Sequence, residues 1–234
     1  MTSSSGRTEA NTTAADAALA IPVWDVPVRL VHWLLVGLIA FSWWSAENEQ
    51  VQLHLWSGYG VLFLVLFRLL WGFLGSSTAR FASFVRGPRA LLGYLRRPAD
   101  WRGIGHTPLG ALSVVALLSL IALQVGLGLL LSDEDGIYAA PLNHLVGFET
   151  AEAARDLHEA LFNVLMAFIA VHIAAILFYR LRGKKLVGAM ISGRSKDYPV
   201  GTEPVIPAGP GRVIVCLALA GATTAWIIAG APPL

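Results

Sequence analysis

The chain has 234 residues, of which 56% are hydrophobic and only 14% charged, with a formal net charge of +2. That balance excludes an ordinary soluble surface and places the chain among integral membrane proteins. The slight basic excess is no nucleic-acid signal, because the charges are sorted by loop.

Residues 1–21 are rich in Thr, Ser and Ala and lack a basic start followed by an apolar core. They are expected to form a disordered tail, not a signal peptide. Asp25 and Pro27 then read as an N-cap and an early-turn proline. Five apolar runs approach spanning length, near 28–46, 52–75, 107–131, 157–180 and 211–230. A span needs about 20 residues. The first ends in Trp43 and Trp44, rings suited to a membrane interface. Between the second and third runs, residues 88–97 carry leucines on one side and arginines on the other. A short helix lying in the interface fits them as well as a plain basic loop does. Residues 196–211, with Pro199, Pro204, Pro207 and Pro210, read as a linker. The expected organisation is a tail, a four-helix transmembrane domain over 22–195, the linker, and a further transmembrane helix over 212–234.

The loops set the topology. Arg80, Arg86, Arg89, Arg96, Arg97 and Arg102 lie between spans two and three, and Arg180, Arg182, Lys184, Lys185, Arg194 and Lys196 follow span four. The opposite loops hold Glu47 and Glu49, then Asp133, Glu134, Asp135, Glu149, Glu152 and Asp156. Basic loops stay inside, so the N-terminus is expected in the cytoplasm and the C-terminus in the periplasm.

Four histidines fall inside these spans. Ionisable groups in hydrocarbon are costly and mark function. His158 and His172 share span four at a 14-residue offset, about 21 Å of helical rise and roughly 40° short of four turns. They face one way at two depths. His54, after the outer turn, matches the depth of His158, and His32, at the inner entry of span one, matches that of His172. Opposed imidazoles on neighbouring helices can ligate one iron from both faces of a porphyrin. Two haems, one per level, are expected. Cys216 is the only cysteine and there is no C-x-x-C-H, so the haems are non-covalent and b-type. Unrelated polar residues satisfied by carbonyls are the plain alternative, and four depth-matched residues weigh against it. A bare metal ion has only two ligands at each level.

Arg68 lies 14 residues after His54 and is expected at the inner level, facing a haem propionate. Arg29 reaches the same edge, or snorkels to lipid phosphates. Gly58 and Gly60 after His54, Gly37 after His32, and Gly126 and Gly128 in span three leave room for a flat macrocycle, though glycine also serves helix contacts. His106 and His144 are taken as surface or interfacial, with a proton relay near a quinone as the lesser reading of His106.

The run from Val23 to Trp33 (Val-Trp-Asp-Val-Pro-Val-Arg-Leu-Val-His-Trp) resembles the opening of the bacterial cytochrome b561 family, which includes the cytochrome b subunits of nickel–iron hydrogenases. The segments His54-Leu55-Trp56-Ser57-Gly58-Tyr59-Gly60, Phe67-Arg68-Leu69-Leu70-Trp71-Gly72 and His106-Thr107-Pro108-Leu109-Gly110, with Leu157-His158-Glu159 and His172, extend the likeness over about 22–195. The resemblance implies a four-helix diheme electron carrier of the bacterial inner membrane, working between a quinone pool and an extracytoplasmic redox protein such as a cytochrome c or a hydrogenase. The fifth span departs from the pattern. Its residues Gly221, Ala225 and Ala229, with Ala218 and Ala222 beside them, allow close helix contact. They serve either packing on the same bundle or contact with a second copy or a partner's anchor.

The acidic outer loops point to a soluble partner with a basic docking face. They also weigh against superoxide oxidation coupled to quinone reduction, since a site for an anion should present positive charge. A structural membrane protein without cofactor is the remaining rival. An electron-transfer subunit is favoured over a stand-alone oxidoreductase.

Overall fold

The computed structural model describes residues 20–98, 101–132, 139–199 and 201–233. The expected tail lies outside this set up to residue 19, as do Asp133, Glu134 and Asp135. In chain order the helices are α1 (Val26–Glu47), α2 (Val51–Leu74), α3 (Phe81–Phe84), α4 (Pro88–Arg96), α5 (Pro108–Gly128), α6 (Phe148–Leu181), α7 (Leu186–Ser192) and α8 (Pro210–Ile228). Two short strands, β1 (Ile21–Pro22) and β2 (Arg194–Ser195), pair antiparallel with Ile21 opposite Ser195. Helices α1, α2, α5, α6 and α8 are each long and apolar enough to cross a membrane. The chain is an all-α membrane protein.

The helix starts follow from local chemistry. Asp25 Oδ1 accepts the Val28 backbone N–H at 2.8 Å, with Pro27 in the first turn. Thr107 caps α5 in the same way, accepting from Gly110 N at 3.1 Å ahead of Pro108. These side chains satisfy donors that a helix leaves unpaired at its start. Helix α4 forms over the segment with one-sided arginines: Tyr94 is buried and its hydroxyl lies 3.0 Å from the Tyr179 hydroxyl of α6, while Arg89 and Arg96 are exposed.

Helix α6 begins at Phe148, about two turns before the apolar run expected from residue 157. Hydropathy registers only the apolar part. The polar turns ahead of it stay helical because Ala151 and Ala154 are buried and Glu149 sits in the first turn, where a negative charge is favoured.

Helix α2 is central. Half of its apolar window is buried, against 11–17% in the other four spans. It packs on α1, α5 and α8, and α5 packs on α6. Between lipid-facing helices the attraction comes from close packing, since lipid is as apolar as leucine. Small side chains therefore line the α8 seam: Cys216 and Ala220 are fully buried, with Thr224 one turn further. Gly221 lies next to that seam, its Cβ position 4.0 Å from Phe63, whereas Ala218, Ala222, Ala225 and Ala229 are exposed.

The end of the bundle carrying the basic loops is stitched together. Gly193 closes α7 at φ +80°, and its carbonyl accepts from Val23 N (2.8 Å) and Trp24 N (3.1 Å). A Cβ there would sit 2.8 Å from the Trp24 oxygen, so glycine is required both for the left-handed turn and for the close approach. The stretch before α8 is also held: Val205 N donates to Pro22 O at 3.0 Å, Ser77 N to Ile206 O at 3.0 Å, and Ile206 N to Ser77 Oγ at 2.9 Å. Arg212 reaches Leu74 O at 3.3 Å.

Candidate functional site

His54 lies in the first turn of α2 and His158 in the third turn of α6, and the fold brings them together. Their ring centres are 6.2 Å apart with planes at 80°. Two imidazoles sharing one metal sit about 2 Å from it through nitrogen, with the ring centre about 1 Å beyond, which gives roughly 6 Å between centres.

The hydrogen bonds of this pair fix the tautomers. His54 Nδ1 is 2.9 Å from the Ser42 carbonyl oxygen of α1, with Ser42 Oγ at 3.2 Å. His158 Nδ1 is 2.9 Å from the Gln124 carbonyl oxygen of α5. A carbonyl only accepts, so each Nδ1 carries the proton and each neutral ring keeps its lone pair on Nε2. Metal-ligating histidines are oriented in this way by outer partners. Gln124 closes the arrangement from its side chain, donating from Nε2 to the His158 backbone oxygen at 3.0 Å.

At the other level His32 is half-buried in α1, and its Nδ1 is buried without a partner among the described residues. His172 of α6 acts on it electrostatically, which puts the two imidazoles in one neighbourhood. Among the described residues no three His, Cys, Asp or Glu side chains converge. The donor set suits a group that needs only two axial ligands and does not suit a bare ion. The glycines divide by what surrounds them. Cβ positions at Gly37, Gly58 and Gly126 meet nothing within 4 Å, so a flat group can lie against the backbone there. Gly60 instead makes room for Leu38, and Gly128 for His158 itself, whose Cε1 is 3.1 Å from the Cβ position.

Residues 23–193 match the family described as Prokaryotic cytochrome b561. The chain belongs to the prokaryotic cytochrome b561 family. It is a b-type cytochrome of membrane electron transfer, and this cytochrome b561 binds haem of the b type. No curated protein and no solved structure matches the chain.

Arg68 is surrounded by groups of the chain itself. It is 6% exposed and its guanidinium lies 5.3 Å from the Phe81 ring centre and 3.4 Å from Ala79 O. Asp25 is the carboxylate in electrostatic range. Asp25 also accepts from Trp71 Nε1 at 2.9 Å, so one side chain caps α1, holds the α2 indole and balances Arg68. Arg29 donates to Ser192 O at 3.2 Å and borders a groove of about 370 Å³ with Leu30, Trp33, Met190 and Ile191.

His106 corrects the sequence reading. Its ring is wedged between Trp24 (4.6 Å) and Phe84 (4.5 Å), and Nδ1 is enclosed. Burial pushes its pKa down to about 3, and the Arg68 charge acts in the same direction. Distance along the chain hid this, since its two neighbouring rings come from other segments. His144 is exposed, as expected, beside Gly230. The sequence reading also missed Ser42 and Gln124. Gln124 carried a signal, as the longest polar side chain in an otherwise apolar span.

Proposed function

We propose that this cytochrome b561 holds two b-type haems, one between His54 and His158 and one between His32 and His172, and carries electrons between a quinone pool and an extracytoplasmic redox protein. The observation that carries the reading is the 6.2 Å spacing of the His54 and His158 rings, each with its proton committed to a carbonyl. Haem iron with both axial positions filled supplies one-electron transfer and offers no site to oxygen. The chain's own residues orient the imidazoles, leave space at Gly58, Gly37 and Gly126, and keep Arg68 and Arg29 at the inner level, where they can steady propionates.

The basic loops are proposed to face the cytoplasm of a bacterium and the acidic end the periplasm. Glu149, Glu152, Asp156 and Glu159 are exposed at helical spacing on the first turns of α6, which supports a soluble partner with a basic docking face. The exposed alanine ridge of α8 supports contact with a second copy or a partner's membrane helix.

Haem content tests the reading. Purified protein should carry two haems per chain by pyridine haemochrome. His54→Ala and His158→Ala should each lose one haem and His32→Ala and His172→Ala the other. A His54→Ala, His158→Ala double variant that kept two haems would overturn the pairing.

A further inference from the structure

The two histidine levels are not equivalent. At the His54/His158 level both imidazoles donate Nδ1–H to main-chain carbonyls at 2.9 Å, each supplied by a neighbouring helix. At the other level the corresponding nitrogen of His32 is buried without a partner among the described residues. An imidazole whose N–H is given to a carbonyl is a stronger electron donor through its other nitrogen. Stronger donation favours the oxidised, more positive iron, and hydrogen bonding and axial ligation are levers by which a protein sets haem potential.

We infer that the main-chain carbonyls of Ser42 and Gln124, the latter kept in reach of His158 by Gly128 as a positioning residue, hold the potential of the His54/His158 centre below that of the His32/His172 centre, making the His32/His172 level the better electron acceptor. The inference rests on the two-haem reading proposed above.

The geometry around His158 shows how tightly this is set. Gln124 grips the histidine twice, accepting Nδ1–H on its carbonyl and donating from its side chain to the His158 backbone. Gly128, one turn on, packs against the imidazole: a methyl group there would fall 3.1 Å from Cε1 and 3.5 Å from Nδ1. A larger residue presses on the ring that donates to the Gln124 carbonyl. The absence of a side chain at 128 therefore serves the hydrogen bond, whereas Gly126 faces open space. At His54 the Ser42 hydroxyl, 3.2 Å from Nδ1, sits beside the carbonyl that takes the proton.

The test is a redox titration of the purified, haem-loaded full chain, followed in the visible α-band, with His32→Ala and His54→Ala single-haem variants assigning each midpoint to its level. In the unaltered protein the lower midpoint should belong to the His54/His158 level. Gly128→Ala and Gly128→Ser, which place atoms against the ring that donates to the Gln124 carbonyl, should raise that midpoint by a tenfold or larger change in the reduction equilibrium, 59 mV for one electron. Both should retain two haems and leave the other midpoint in place. Ser42→Ala keeps the carbonyl and should leave both midpoints unmoved. Assignment of the lower midpoint to the His32/His172 level would overturn the inference, as would a lower midpoint unmoved in both variants or an equal shift of both midpoints. If both variants lost haem, the assignment of the two midpoints in the unaltered protein would decide alone. Fewer than two haems in the unaltered protein would instead defeat the two-haem reading, an outcome visible before any potential is measured.

Discussion

Replacing Asp25 should damage the bundle far more than a half-buried carboxylate at a helix start ordinarily would. The side chain does three things at once: it caps α1 through Val28, accepts the buried Trp71 indole N–H, and balances Arg68. Losing an N-cap costs about 1 kcal/mol. A hydrogen bond to a charged acceptor contributes about 1.5–3 kcal/mol, and leaving a buried guanidinium without its carboxylate adds to that. The three share one side chain and do not simply add, so Asp25→Ala should lose roughly 3–4 kcal/mol. Asp25→Asn keeps a good cap but gives up the charge and one oxygen, so it should lose about 2 kcal/mol. Unfolding in mixed dodecylmaltoside–SDS micelles, followed by far-ultraviolet circular dichroism, measures both. An Asp25→Ala midpoint within error of the unaltered protein would refute the triple role. Equal losses from Asn and Ala would show that the cap contributes nothing.

Three further outcomes are expected. His106 has a folded-state pKa near 3, below its unfolded value, so the stability it contributes is complete above about pH 6.5 and lost as pH falls from there towards 3. The slope should approach about 1.4 kcal/mol per pH unit and flatten in His106→Phe; an unchanged acid limb in that variant would exclude His106 as the titrating group. Reduction or oxidation by the soluble partner proposed above should slow as ionic strength rises, and Glu152→Lys with Asp156→Lys should slow it at low salt; a rate flat in salt counts against docking on the acidic turns. On α8, Ala218→Leu and Ala222→Leu should reduce the size of the detergent-solubilised assembly and keep haem, while Ala220→Leu, fully buried against α2, should destabilise the chain itself. Unchanged size in the first two would reject the α8 interface.

The spans, the Asp25 cap and the short α4 helix were all legible, because each depends on residues close in sequence. The approach of His54 to His158 was legible for a different reason. Depth in a membrane is fixed by position along a span, so residues far apart in the chain can be matched before any packing is known. What the sequence could not show were contacts that depend on how segments fold over the basic end. The approach of Asp25, from the turn before α1, to electrostatic range of Arg68 is one such contact. His106 reads as interfacial until Trp24 and Phe84 close on it. The early start of α6 was hidden because Glu149, Glu152, Arg155 and Asp156 lower the mean hydropathy of its first turns.

The seam between α2 and α8 has a consequence for biogenesis. Helix α2 leaves the ribosome well before α8, yet α8 covers part of the most buried of the described spans. At about 5–20 residues per second, the intervening chain takes on the order of ten seconds to synthesise. Throughout that time the face of α2 that will receive Cys216 and Ala220 must be sheltered by lipid or by the insertion machinery. All four membrane histidines are made before the seam closes, so haem can enter a bundle that is still open on one side. Docking of α8, guided by the stitches from Ser77 to Ile206 and from Leu74 to Arg212, is then the step that commits the assembly.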